Sequence, residues 1–108
     1  MVDIGATVKS MAAKFDANEA KGWGKTIVIT VTGQGGGSWH FIIKDGKCEV
    51  KDGDLPTAEI KVSVDVATWT NMVDGKISGE RAFMSGKLKV KGPMKDLIKT
   101  GKVFPGMF

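Results

Sequence analysis

Two residue types that often act as a nucleophile or a general base occur only once each in this sequence. His40 is the only histidine and Cys48 is the only cysteine. Nucleophilic catalysis needs a nucleophile, a base and an orienting group in hydrogen-bonding contact. Both residues fall in segments where apolar and polar residues alternate, and alternate side chains of a β-strand point to opposite faces. This alternation places Cys48 inward and His40 outward, so we expect the two side chains to point apart and to have structural roles.

Metal binding and carboxylate catalysis find no support in the pattern. A single cysteine excludes an internal disulfide and a multi-cysteine metal site, and the spacing typical of zinc ligands is missing. Asp and Glu residues are scattered, without the pairing that glycoside hydrolysis requires. The sequence therefore predicts no metal, no cofactor and no enzymatic activity of its own.

The glycine-rich stretch at residues 33–37, GQGGG, suggests a phosphate-binding loop. Such a loop needs a helix directly after the glycines, so that amide groups and the helix N-terminus meet the phosphate. Here the residues from Trp39 to Lys44 alternate as a strand does. Gly24, Lys25 and Thr26 match only the end of a P-loop motif, because Glu19 stands where its first glycine belongs. A plain hairpin loop at 33–37 is the better interpretation.

The length of the chain fits a single domain over residues 1–108, and 42% of its residues are hydrophobic. No run approaches the roughly 18–20 apolar residues of a membrane span. The first residues lack the basic start and apolar block of a signal peptide. The expected location is the cytoplasm, where a lone cysteine stays reduced.

The net charge is +4, and Arg81 is the only arginine among sixteen basic residues. Bidentate recognition of bases and phosphates usually uses arginine. The charge therefore favours a transient contact with an anionic membrane over nucleic acid, and a plain solvated face is the alternative. The lysines predicted to make this membrane contact are Lys87, Lys89, Lys91, Lys95, Lys99 and Lys102.

Helical periodicity appears at both ends of the chain and in the middle. Asp3 can cap a first helix, which we expect to end between Asn18 and Lys21. Asp65 can cap a second, which Gly75 ends. A short helical segment is predicted at 79–85, and Met94, Leu97 and Ile98 form a last apolar stripe.

Alternation with a period of two predicts five strands, near residues 25–32, 39–44, 47–51, 58–63 and 87–91. The Asp45-Gly46 pair predicts a two-residue hairpin. The order αββββααβα indicates an α+β fold, with four consecutive antiparallel strands and a late fifth. We expect a five-stranded, mostly antiparallel sheet covered on one face by helices.

The methionines fall on or beside the apolar stripes and the C-terminal tail. Methionine fills gaps in ordinary cores and also lines adaptable binding surfaces. Three helices, one sheet face and an apolar tail could enclose a ligand-sized cavity. Composition does not separate a packed core from such a cavity.

One stretch resembles a known family. Residues 58–62 (AEIKV) are followed by a capped helix ending in MVDGK (72–76) and then by RAFMSGKLKVKGPM (81–94). Together these resemble the sterol carrier protein type 2 domain, strongly over residues 58–98 and loosely before 57. The resemblance implies an apolar tunnel between sheet and helices that holds a fatty acyl chain, an acyl-CoA or a sterol or isoprenoid lipid, for binding and transfer.

The resemblance also implies which inward side chains would contact the lipid. They are Ile29, Phe41, Ile60, Trp69, Met72, Val73, Phe83, Met84, Leu88, Val90, Met94, Leu97, Ile98 and Phe104. Residues 103–108 are a candidate plug for the tunnel. The chain lacks a Ser-Lys-Leu ending, which agrees with the expected cytoplasmic location.

A second interpretation keeps the same fold with a different role. The chain would be a non-catalytic accessory module that presents hydrophobic substrate to a separate enzyme, or that dimerises through its C-terminal tail. We expect a monomer or a weak dimer, a lipid or acyl-CoA ligand, and no nucleic-acid partner.

Overall fold

The computed structural model describes residues 3–104. Four helices and five strands follow one another in the predicted order, αββββααβα. The helices are α1 (Ile4–Ala12), α2 (Val66–Val73), α3 (Gly79–Met84) and α4 (Met94–Val103). The strands are β1 (Thr26–Thr32), β2 (Gly37–Lys44), β3 (Lys47–Asp52), β4 (Ile60–Asp65) and β5 (Leu88–Lys91).

The caps predicted from the sequence begin the first two helices. The Asp3 carboxylate accepts a hydrogen bond from the Ala6 amide at 3.2 Å, and Asp65 accepts one from Thr68 at the same distance. Each satisfies an amide that has no partner within the helix. The hydroxyl of Thr68 also donates to Asp65, and these bonds lower the pKa of that carboxyl.

The predicted end of α1 is wrong. The helix ends at Ala12, several residues before Asn18. The amide of Asp16 donates to the carbonyl of Val103 at 2.8 Å, and the Asp16 carboxylate accepts bonds from the amides of Asn18 and Glu19. A contact with the far end of the chain thus redirects the backbone where the local pattern would continue the helix.

The five strands form one sheet in the order β3-β2-β1-β4-β5. Three of the four pairings are antiparallel, which confirms the mostly antiparallel sheet. The expectation of four consecutive antiparallel strands is wrong, because β1 pairs in parallel with β4, with Ile27 opposite Ile60. β4 therefore joins the sheet beside β1 and not beside β3.

The link from β3 to β4 crosses the outer face of the sheet, opposite the helices. The Gly53 amide donates to the Ser38 carbonyl at 2.9 Å, and the Gly53 carbonyl lies 2.9 Å from His40 Nδ1. His40 and Val28 point to this outer face, as their positions in the alternation predict. Both are nevertheless buried, because the crossing segment lies over them.

The core lies between the inner face of the sheet and the helices. It combines buried side chains of β1, β2, β4 and β5 with those of α1, α2, α3 and the C-terminal end of α4, and partly buried side chains of β3 pack against it. The indole of Trp69 on α2 donates to the hydroxyl of Thr7 on α1 at 2.7 Å, which joins the two helices. Phe104 is fully buried, with its ring centroid 5.3 Å from that of Phe41 and 5.7 Å from that of Phe15.

Candidate functional site

An apolar pocket of about 170 Å³ lies where α3, β5 and α4 meet. Phe83 comes from α3, Val90 from β5, and three side chains from α4 complete the lining: Met94, Leu97 and Ile98. None of the five lining side chains carries a charge or a strong hydrogen-bonding group. The pocket can therefore hold apolar matter by burial, without directional contacts.

Two short connections set this geometry. Gly86 has φ +79° and allows the chain to turn from α3 into β5. Gly92 has φ +153°, and a Cβ built there would lie 3.3 Å from the Glu59 carbonyl oxygen and 3.5 Å from Leu97. The positive φ and the close approach to the Glu59 carbonyl both favour glycine at residue 92, in the link between β5 and α4.

α4 is oriented with a polar stripe inward. Asp96 is only 3% exposed and Thr100 is fully buried, whereas Met94 is 70% exposed and Ile98 is 58% exposed. Amphipathic helices of globular proteins ordinarily bury the apolar stripe. The apolar stripe of α4 instead borders the pocket and its opening.

Asp96 is the anchor of this arrangement. Its Oδ1 accepts a hydrogen bond from the indole of Trp23 at 3.1 Å, and its Oδ2 lies 3.5 Å from the ammonium of Lys25. Lys25 also pairs with Glu59 at 3.1 Å. Glu59 first, and then Asp96, raise the pKa of Lys25. Within α4, the Thr100 hydroxyl donates to the Asp96 carbonyl at 2.7 Å.

The structure separates the side chains predicted to contact lipid into three groups. Five line the pocket, as given above. Two more apolar residues, Val73 and Met84, are exposed, and Met72 is partly buried against the core. The remaining six are buried in the core: Ile29, Phe41, Ile60, Trp69, Leu88 and Phe104.

Inward placement is wrong for Val73 and Met84, which are exposed and do not line this pocket. Phe83, Met94 and Ile98 line the pocket and are also partly open to solvent. Contact with lipid stays a prediction for all fourteen, and so does a tunnel between the layers. Most of the plug hypothesis falls on residues 105–108, which lie outside the described residues. Val103 and Phe104 belong to the core.

The six C-terminal lysines lie on more than one surface. Lys89 and Lys91 border a recess on the outer face of the sheet, together with Lys61. Lys95 and Lys102 are exposed on α4, and Lys87 is exposed just before β5. Lys99 pairs with Glu19 at 3.6 Å. Contact of these lysines with a membrane stays a prediction.

Sequence reasoning missed the Asp96 anchor. Its partner Trp23 is 73 residues away along the chain, between the predicted first helix and the predicted first strand. One signal was present, because Asp96 lies next to Leu97 at the centre of the last apolar stripe. A carboxylate there, within a run of lysines, is a candidate for an internal partner.

The groups able to perform chemistry lie apart, as expected for Cys48 and His40. Cys48 packs against the core on the inner face, and burial raises the pKa of its thiol to about 11. His40 points to the outer face.

Among residues 3–104, no cluster of three or more His, Cys, Asp or Glu side chains is placed to hold a metal ion. The same part of the chain contains no helix with the length and apolar composition to cross a membrane.

The fold and the pocket define an α+β domain with an apolar pocket between its last helices and the edge of its sheet. The chain belongs to the SCP-2 sterol transfer family, which it matches over residues 8–105. This confirms the resemblance to the sterol carrier protein type 2 domain.

Two relatives illustrate how the match is distributed. The chain is 37% identical over 80 residues to hydroxysteroid dehydrogenase-like protein 2 of Xenopus tropicalis, covering 73% of this chain but 19% of that protein. It is 30% identical over 100 residues to oleate-induced peroxisomal protein POX18 of Candida maltosa, covering 89% of this chain and 79% of that protein. The chain thus spans about a fifth of the first relative and most of the second.

Solved structures share the fold. Sterol carrier protein 2 like 2 from Aedes aegypti superposes with a TM-score of 0.74 at 16% identity, over 94% of this chain and 95% of that one. The palmitated form of the protein gives a TM-score of 0.72 at 14% identity, with 96% of each chain covered.

Proposed function

We propose that this chain is a lipid-binding and lipid-transfer domain that takes up a fatty acyl chain, an acyl-CoA or a sterol-like lipid in the pocket between α3, β5 and α4. The observation that carries the proposal is the lining of that pocket, five apolar side chains from three elements with no polar group among them. Membership of the SCP-2 sterol transfer family supports it. The domain acts in the cytoplasm and performs no chemistry on the ligand.

The pocket must widen when a lipid enters. Its volume of about 170 Å³ is below the roughly 300–1,000 Å³ of typical ligand sites. α4 is the wall best suited to move, because its N-terminal half makes mainly pocket contacts and a single buried anchor at Asp96. A shift of α4 away from Val90 would open the space between the pocket and the core.

Native mass spectrometry of gently purified protein, with and without added oleate and palmitoyl-CoA, tests the proposal. The expected result is a bound mass equal to one lipid. A bare mass that stays bare after incubation with both lipids would overturn lipid binding.

The site is tested with Ile98→Glu, which places a carboxylate at the pocket without disturbing the core, since Ile98 is largely exposed. Leu97→Glu is a second, more deeply placed variant. Leu55→Glu is the control, because it makes the same charge change in the segment that crosses the opposite face of the sheet. We expect lipid affinity to fall in the first two and to stay unchanged in the control. Equal lipid affinity in all three variants would show that the pocket is not the lipid-binding site.

A second role rests on the relatives that carry the matching segment as about a fifth of a longer protein. In this role the domain is an accessory module that presents hydrophobic substrate to a separate enzyme. Retention of that enzyme during purification would distinguish it from a free carrier, and both roles require the same pocket.

A further inference from the structure

The exposed stripe of α4 combines apolar and basic side chains beside the pocket opening. Met94 and Ile98 both line the pocket and are more than half exposed, so the pocket opens to solvent between them. Phe83, from α3, borders the same opening and is 44% exposed. An apolar surface at the mouth of an apolar site marks an interaction surface.

Two lysines stand beside these apolar residues. Lys95 precedes Ile98 by three residues and Lys102 follows it by four, so both lie next to Ile98 on the helix surface. Both are exposed, and neither forms an ion pair within residues 3–104. We define the docking face as Phe83, Met94, Lys95, Ile98 and Lys102.

We propose that the docking face binds the surface of an anionic lipid bilayer. The chemistry is that of a helix lying in the membrane interface, with apolar side chains entering the headgroup boundary and lysines meeting lipid phosphates. A second copy of this chain is a poorer occupant. A symmetric contact through this face would bring the same lysines of both copies together.

Binding through the docking face places the opening of the pocket against the bilayer. With Met94 and Ile98 at the bilayer surface, the pocket opens directly toward the acyl chains, and a lipid can move between bilayer and pocket with little exposure to water. The role of membrane binding in lipid transfer rests on the proposed function. Membrane binding itself is measured separately from ligand uptake.

The six C-terminal lysines provide a matched comparison, because the structure places two of them elsewhere. Lys95→Gln/Lys102→Gln removes two charges from the docking face. Lys89→Gln/Lys91→Gln removes two charges from the outer face of the sheet. Both variants lower the net charge equally, and all four side chains are exposed, so the fold should survive in both.

The experiment is co-sedimentation with vesicles of equal parts phosphatidylcholine and phosphatidylserine, with phosphatidylcholine alone as the neutral comparison. We expect binding to the anionic vesicles only, weakened by salt. A lysine at an anionic surface is worth about fivefold in affinity, so Lys95→Gln/Lys102→Gln should bind about 25-fold more weakly. Lys89→Gln/Lys91→Gln should lose much less.

Three results would overturn the docking face. Equal losses in the two variants would mean that net charge, and not α4, drives binding. Absence of wild-type binding to anionic vesicles would remove the membrane as partner. A doubled mass in solution, with no vesicle binding, would assign the face to a second copy. Uptake of a soluble fluorescent fatty acid without vesicles reports on the proposed function alone, and Lys95→Gln/Lys102→Gln should leave it unchanged.

Discussion

Asp96 holds α4 against the rest of the domain, and its replacement tests that anchor. In Asp96→Ala the indole of Trp23 loses its acceptor and the ammonium of Lys25 loses one of its two carboxylates. A hydrogen bond to a charged group contributes about 1.5–3 kcal/mol to stability. We add nothing for Lys25, because it is partly exposed and keeps Glu59. The expected loss in the free energy of unfolding is therefore about 1.5–3 kcal/mol.

The assay is urea unfolding at neutral pH, followed by Trp fluorescence. Asp96→Asn keeps an oxygen for the indole of Trp23 but removes the charge, so it should cost less than Asp96→Ala. Trp23→Phe combined with Asp96→Ala should cost less than the sum of the two single changes, because the bond can be lost only once. Asp54→Asn, a change at an exposed carboxylate, should stay within about 0.5 kcal/mol of wild type.

The anchor also predicts a local effect. Hydrogen exchange of the α4 amides should accelerate in Asp96→Ala more than exchange in β1, because α4 loses the attachment of Asp96 to Trp23 and Lys25. If Asp96→Ala unfolds at the wild-type urea concentration and its α4 amides exchange at the wild-type rate, the anchor does not hold the helix and the reasoning fails.

Three other predictions concern the core, the thiol and a helix cap. Phe104→Ala should lower the free energy of unfolding by about 3–5 kcal/mol in urea titrations, since a fully buried ring leaves a cavity; a loss below about 1 kcal/mol would contradict the core assignment. Cys48 should react with iodoacetamide far more slowly than a free thiol at pH 8, because only about a thousandth of its side chain is thiolate at that pH. The reaction should become faster as the pH rises toward 11. Fast labelling of the folded protein at pH 8 would contradict the burial of Cys48. Asp65→Ala should cost about 1 kcal/mol at neutral pH. The lowered pKa of Asp65 means that its stabilisation is present above its ordinary pKa of 3.8 and is lost as the pH falls through the lowered value, so wild type and variant should converge in acid; a difference that persists there would point to a cause other than the charged cap.

Local signals predicted the elements well. Asp3 and Asp65 cap the helices that the sequence assigned to them, and the Asp45-Gly46 turn joins β2 to β3. These features depend on residues a few positions apart, where side-chain chemistry decides the backbone conformation. The family resemblance gave the class of fold on similar grounds, through a contiguous stretch of recognisable residues.

The errors share a different cause, which is contact between distant parts of the chain. Alternation shows that Ile27 and Ile60 face the same way, but it cannot show that their strands pair in parallel. The α4 stripe makes the same point. Periodicity groups Met94 with Ile98 on one side of the helix, and only the partners of Asp96 decide which side is buried.

The parallel pairing of β1 with β4 also sets how the chain can fold as it is synthesised. β1 and β2 are joined by a short loop and can pair early, whereas the opposite edge of β1 waits for a partner 33 residues away, as the Ile27–Ile60 register shows. Pairings of such sequence separation slow folding, because the intervening chain must be closed first. During that interval the unpaired edge of β1, rich in Ile, Val and Thr, is open to other strands. The edge of β1 is therefore open to edge-to-edge association until β4 is available to pair with it.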